Sequence, residues 1–548
     1  MHKILSLYRN ELDKIFHRLT TWLLLGAMVL GTFAMGGLMR AVTALVESRM
    51  GMTSQYYDAD GNLVDEAVEH RRMLEEAVAA ERINLPLELA KYDDEGNLKD
   101  MESSYADYGS LIWRQADLAV MELCLEHDID YYGSNFSSGM FDPTQAYDFR
   151  TEITTVMQPI AQQLYSLEFA ARTGELTPGD QATLFLARRM MQLCEEALTD
   201  GDYSDWLDLQ ITSLPILYGN DAEGQETMRK QYEMLKQANP EGKTNPLLIL
   251  PTIQEIGRLE RSLQDDVEYS DQSGGNGVPL TDAKRTDLQN QLVVANYRLE
   301  QGYFSVGQTL AAAIGVSIGG YTVMKQTGAA LLAVFVLILA GSTVAQEIST
   351  GSIKALIIAP VRRRKILTAK IAAIATTALG GSLLLLLTLL GADALLFRDE
   401  FSQPYIYATH GQAHALPFAA YRAAEIAVDF LPLLCWLLFA LMLSTLLRHT
   451  AAAVGVSLGG YFLGNTLGQI LQLLPQSWAM RFLPMQHFNL SGAVFHFAPS
   501  GDVQGLSSAV TGIASSTASA AFSACYLAVL VLCFGWTAYD SFCRKDLK

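Results

Sequence analysis

The chain has 548 residues, half of them hydrophobic, and a formal net charge of −19. The charge is uneven: residues 47–305 carry 20 Lys+Arg against 47 Asp+Glu, and the remainder carries 19 against 11. The acidic part argues against nucleic acid as a partner, because a phosphate-binding surface needs clustered Lys and Arg, whereas the basic, apolar remainder suits a bilayer and its anionic inner face.

The first 20 residues place Ile4, Leu5, Tyr8, Leu12, Ile15 and Phe16 at helical spacing among Lys3, Arg9, Lys14 and Arg18. This pattern predicts a cytosolic amphipathic segment lying along the inner membrane surface. The apolar run 21–39 that follows is longer than a signal-peptide core and reads as a retained first span, with the preceding cations holding the terminus in the cytoplasm.

Residues 40–327 read as one extracytosolic, mainly helical block. Segments 65–83, 151–172, 178–198, 225–237, 251–265 and 281–299 carry apolar residues at three-four spacing with strong helix formers between them. Thr177 followed by Pro178 is a good helix start. The stretches YYDADGNL (56–63) and KYDDEGNL (91–98) are acidic turns; they lack the further oxygen ligands and bidentate Glu of a calcium loop. QSGGNGVP at 272–279 is a flexible break. Cys124 and Cys194 fall in this block, where a disulfide is possible but two cysteines make no framework. Cys435, Cys525 and Cys533 lie in apolar runs and read as small core residues. Residues 306–324 are apolar enough for a span, yet counting them would put the acidic block and the basic loop below on one side. A packed or interfacial helix on the outer face is preferred.

The second span is expected at 328–346, and a strongly basic segment, 347–370 (EISTGSIKALIIAPVRRRKILTAK), separates it from the next apolar run. A hydrocarbon core of roughly 30 Å needs about 20 helical residues, which both flanking runs supply. Cations in the loop and at its margins outnumber its single acid, Glu347, which orients it to the cytoplasm. Third, fourth, fifth and sixth spans are expected near 371–396, 427–447, 451–474 and 518–538, with Pro432 a kink site. The fold class is therefore an all-α polytopic membrane protein of six spans with a large helical insert between the first two. Both termini would be cytosolic, and the location the plasma membrane.

The basic segment resembles the permease subunits of ABC transporters, the ABC type-2 permease family. In that family a span ends in a Glu, followed at characteristic spacing by a Gly, a Leu, a Pro with basic residues after it, and a Lys. The matching positions are Glu347, Gly351, Leu356, Pro360, Arg362, Arg363, Arg364 and Lys370. The resemblance implies an ATP-driven transporter, an exporter, working as a dimer with a second permease copy or homologue. It also implies a separate ABC ATPase subunit that carries ATP-Mg and docks on these coupling residues. The chain has no phosphate-binding loop of its own: in Glu241-Gly242-Lys243-Thr244 the required earlier glycine is Gln237. It is expected to be no enzyme and to hold no cofactor. Membrane lipid is a second expected partner, since the run from Arg362 to Lys365 can also hold lipid phosphates.

Other chemical signals are weaker. No catalytic set and no HExxH metal motif is present, and the loop pair His410 and His414 reads as solvated. Arg422, Glu425 and Asp429 share one helical face in the fourth span. Ionisable groups there are costly and often line a pathway, although the outer interface could hydrate them. An alternative reading is a membrane-anchored sensor or adhesion protein whose acidic domain binds a peptide or scaffold, for which six spans are excessive. The size of the outer domain points to peptide or lipid-linked cargo.

Overall fold

In a computed structural model the chain is described at residues 2–50, 56–57, 63–97, 99, 108–132, 148–173, 176–199, 201–218, 221–268, 278–304, 320–351, 362–472, 482–495, 497 and 519–544. It divides into two units, one made of Met1–Ala44 with Ile314–Lys548 and one of Leu45–Ala313.

In the discontinuous unit, α1 (His2–Phe16) leads into α2 (Leu19–Met50). The corner between them is closed by Thr21 Oγ1, which donates to Ile15 O at 2.7 Å, and by Trp22 Nε1, which donates to Phe16 O at 2.9 Å. Polar groups at a helix junction need such partners wherever water is scarce. The later helices are α11 (Gly320–Ser349), α12 (Arg363–Leu396), the short α13 (Arg398–Ser402), α14 (Phe418–Leu447), α15 (Thr450–Gln472), the short α16 (Leu490–Val494) and α17 (Ala520–Arg544). Helix α14 is the hub, packing on α11, α12, α15 and α17, while α1 packs along α12.

Five helical stretches among the described residues are long and apolar enough to cross a membrane: Leu19–Val42, Val323–Ser349, Arg363–Leu396, Phe418–Leu447 and Ala520–Arg544. Leu23, Leu30, Leu383, Leu387, Leu532 and Trp536 are each more than half exposed on them. So much outward apolar surface suits hydrocarbon rather than water, and the chain is a multi-pass membrane protein. Helix α15, at the place of the fifth expected span, is not among the five; glycines with Asn465 and Thr466 dilute its apolarity.

The second span begins earlier than the sequence suggests. Helix α11 starts at Gly320 and runs unbroken through Lys325, Gln326 and Thr327, and its stretch long and apolar enough to cross a membrane begins at Val323. The lysine is tolerated because its ammonium is fully paired, as described below. Residues 306–319 lie outside the described residues. Between α13 and α14 the chain forms an antiparallel hairpin, β5 (Tyr405–Thr409) and β6 (Gln412–Leu416). Its two-residue turn is His410-Gly411, with φ of 52° and 75°, the left-handed pair that matches strand twist. His414 pairs across the hairpin with Tyr407.

The second unit consists of successive helices, α3 (Glu66–Leu89), α4 (Tyr108–Glu126), α5 (Arg150–Thr173), α6 (Pro178–Thr199), α7 (Tyr203–Tyr218), α8 (Ala222–Ala238), α9 (Pro246–Asp265) and α10 (Asp282–Gln301), each packed on the next. Its main core joins Val120, Ile153, Met157, Met190, Trp206 and Ile253. Caps set the helix starts. Thr177 and Asp180 exchange reciprocal bonds, Asp180 Oδ2 accepting from Thr177 N at 2.9 Å and Thr177 Oγ1 from Asp180 N at 3.3 Å.

Residues 58–62 of the first acidic stretch lie outside the described residues, and the second stretch is a turn. Residues 56–57 (β1) pair with 63–64 (β2). Asp93 accepts from the backbone amides of Asn97 at 2.7 Å and Glu95 at 3.0 Å. These bonds, the Asn97 amide first, hold its carboxyl below the usual range. The Gln272–Pro279 break lies mostly outside the described residues, but Val278–Pro279 (β4) pairs with Val267–Glu268 (β3). Cys124 and Cys194 are free and buried, and burial pushes each thiol up to about 12.

Candidate functional site

Two clusters of enclosed charge sit in the membrane unit. The first lies at the base of the basic loop. Glu347 stands near the end of α11, and Gly351, two residues past the helix, has φ of 72°. Glycine takes this left-handed conformation at no steric cost, and here it turns the chain out of α11. Leu356 and Pro360 lie outside the described residues. Arg362 caps α12 with extended backbone, and Arg363 and Arg364 form its first turn. Arg362 and Arg364 are exposed, and the Arg364 guanidinium lies 5.7 Å from the centre of the Tyr539 ring.

Lys370, two turns into α12, points the other way. Its side chain is wholly enclosed, and its ammonium donates to Glu347 Oε1 at 2.7 Å and Glu11 Oε2 at 2.8 Å. Lys14 donates to Glu11 Oε1 at 2.8 Å and to the same Glu347 oxygen at 3.2 Å. Two cations and two carboxylates thus close a neutral square joining α1, α11 and α12. Burial works to raise the Glu11 carboxyl, but Lys370 and Lys14 outweigh it and hold it below its ordinary value. Burial works to lower Lys14, and Glu11 and Glu347 outweigh it, so it is raised. From the sequence Lys14 is only one of the cations before the first span and Glu11 has no assigned role, because Glu347 and Lys370, which draw them into the square, are more than 300 residues away. Among the described loop positions, Glu347 and Lys370 face inward to each other, Arg362 and Arg364 face out, and Arg363 is half-buried.

The second cluster is built on α14, whose residues 421, 422, 425 and 429 share a face by helical periodicity. Arg422, 1 % exposed, donates through Nε to Asp393 Oδ2 at 3.0 Å, through Nη2 to Asp393 Oδ1 at 3.5 Å and through Nη1 to Glu425 Oε2 at 2.9 Å. The Phe418 ring lies 5.2 Å from the guanidinium. Tyr421 Oη donates to Glu425 Oε1 at 3.2 Å. Lys325 donates to Glu425 Oε1 at 2.8 Å, Asp429 Oδ2 at 2.9 Å and Ser491 Oγ at 3.0 Å.

An intramembrane arginine alone would be very costly, and a multiply bonded one is affordable because its partners replace the lost water. The sequence pointed to Arg422, Glu425 and Asp429. It did not reveal Lys325 or Asp393, although any ionisable group in an apolar run is a functional candidate. Beside this cluster a cavity of about 360 Å³ is lined by Lys325, Asp429, Trp436, Tyr461, Asn465 and Phe488, among others.

The phosphate-loop decoy at 241–244 is a closed turn. Asn239 Nδ2 donates to Thr244 O at 2.6 Å, and Asn239 Oδ1 accepts from Thr244 N at 3.2 Å, with Gly242 at φ of 64°. Among the described residues no group of His, Cys, Asp and Glu could hold a metal ion.

Residues 294–548 match a family model described as "Protein of unknown function (DUF2705)". The match takes in α11 to α17 and just under half of the chain. Neither a curated protein nor a solved structure matches the chain.

Proposed function

We propose that the chain is the membrane-spanning permease subunit of an ATP-driven ABC exporter, with six spans per subunit. It pairs with a second copy or homologue, and separate ATPase subunits bind ATP-Mg and dock on the cytosolic loop 347–370. One observation carries this reading: Glu347 and Lys370, the resemblance positions that bracket the loop, are bonded to each other at 2.7 Å and to α1 through Glu11 and Lys14. A force on the loop is thereby passed to α1, α11 and α12 together, as coupling to an ATPase requires. The exposed Arg362 and Arg364 remain for a partner's carboxylates or for lipid phosphates.

Purification of the tagged chain in mild detergent tests the reading. An ATP-binding subunit should co-purify, and Gly351→Asp should release it; no such subunit, or capture unchanged by the substitution, refutes the proposal. Topology is checked with single cysteines in intact cells. A membrane-impermeant maleimide should label Trp113→Cys, a site 60 % exposed, and spare Arg362→Cys.

A further inference from the structure

We infer that the cavity beside α14 is a binding site for an organic ammonium ion, with Asp429 as its counter-ion and aromatic rings as its wall. The first observation is the charge balance. Lys325 and Arg422 are the cations of the cluster, and Asp393, Glu425 and Asp429 its carboxylates. Arg422 grips Asp393 and Glu425, leaving one ammonium, Lys325, between Glu425 and Asp429. With all three carboxylates ionised, one negative charge stays uncompensated among the described residues, in surroundings where an uncompensated charge is expensive.

The second observation is hydrogen-bond capacity. An ammonium has three N–H donors, and all three of Lys325 are engaged, by Glu425, Asp429 and Ser491. The lysine lines the cavity but has no donor left for an anionic ligand. Asp429 is the most exposed member of the cluster, its side chain 26 % exposed against 13 % for Lys325 and 9 % for Glu425. It accepts one bond on each oxygen, from Lys325 and from Ser491 N at 3.3 Å, and a carboxylate accepts about four.

The third observation is the wall. Trp436 stands with Tyr461 at 5.4 Å and Phe488 at 4.7 Å between ring centres, and all three line the cavity. Rings beside a carboxylate are the surface that favours ammonium ions, and 360 Å³ accommodates a small organic cation. The inference goes beyond the permease reading, since binding needs only this chain and no ATPase.

The test is equilibrium dialysis of benzyltrimethylammonium against the full chain in uncharged maltoside micelles. The cation should bind saturably, and its uncharged analogue benzyl alcohol should not displace it. Asp429→Asn should weaken binding at least about tenfold, and Trp436→Leu several-fold, the range expected for a charge pair and a cation–π contact. Asp429→Glu, which restores the charge, should recover binding. Displacement by short-chain phosphatidylcholine identifies a lipid headgroup as the source of the ammonium, and its failure a free cation. Unchanged affinity in both Asp429→Asn and Trp436→Leu, or displacement by the alcohol as effective as by the cation, overturns the inference. Loss of an ATPase partner leaves this result untouched, so the two readings fail separately.

Discussion

Removing the Lys370 ammonium tests the square of charge at the base of the loop most directly. In Lys370→Met the carboxylates of Glu11, buried at 6 % exposed as a residue, and Glu347, partly buried at 14 % exposed as a side chain, lose their shared partner. Stripping one member from a buried ion pair costs about 3–5 kcal/mol, chiefly because the remaining charge is stranded. Lys14 can still neutralise one of the two carboxylates, but its side chain is 37 % exposed and solvent screens it. The lower end, about 3 kcal/mol, is therefore expected, equivalent to roughly a hundredfold shift in the docking of α1. Cross-linking of cysteines at 8 and 376 by a short bifunctional maleimide, which spans the length of the lost tyrosine ring where Tyr8 Oη meets Thr376 Oγ1 at 3.1 Å, reports that docking by its rate. The double variant Glu11→Gln/Lys370→Met leaves Lys14 facing Glu347 alone and should regain part of the loss. Docking within about 0.5 kcal/mol of the parent, or single-variant losses that simply add in the double variant, would refute the argument.

The same square sets a pH window for α1. Glu11 is lowered from 4.5, so its contribution is present above that value and is lost as pH falls through the folded value. Lys14 is raised from 10.5, so its contribution is present below that and is lost as pH rises through the folded value. Cross-linking between 8 and 376 should hold between these limits and weaken outside them. Gly341→Leu should destabilise the membrane unit by about 1–3 kcal/mol, because a Cβ there already meets Val454 Cα at 3.3 Å. Gly455→Leu, with nothing within 4 Å, should change unfolding in detergent by less than about 0.5 kcal/mol. Cys124 and Cys194, buried and with thiols pushed to about 12, should resist maleimide at pH 8 until the protein is unfolded. Added reductant should leave the melting of the acidic unit unchanged; a reductant-dependent shift would contradict two free thiols.

The sequence alone determined what depends on local pattern. Apolar runs of sufficient length, three-four periodicity from residue 65 to 299, the cap at Thr177 and the acidic turn around Asp93 were all legible, since each is decided by residues within a few positions of one another. The clustering of Arg422, Glu425 and Asp429 on one face was legible for the same reason. Tertiary structure alone decided the partners. Lys370, read as part of an exposed loop, is enclosed because α1 and α11 bring Glu11 and Glu347 to it. Lys325, which precedes the expected start of the second span at 328, lies inside α11 because Glu425, Asp429 and Ser491 take all its donors. A buried charge is tolerable only where other groups replace the water it has lost, and for Lys325 and Lys370 no short window of sequence contains both the charge and its replacements.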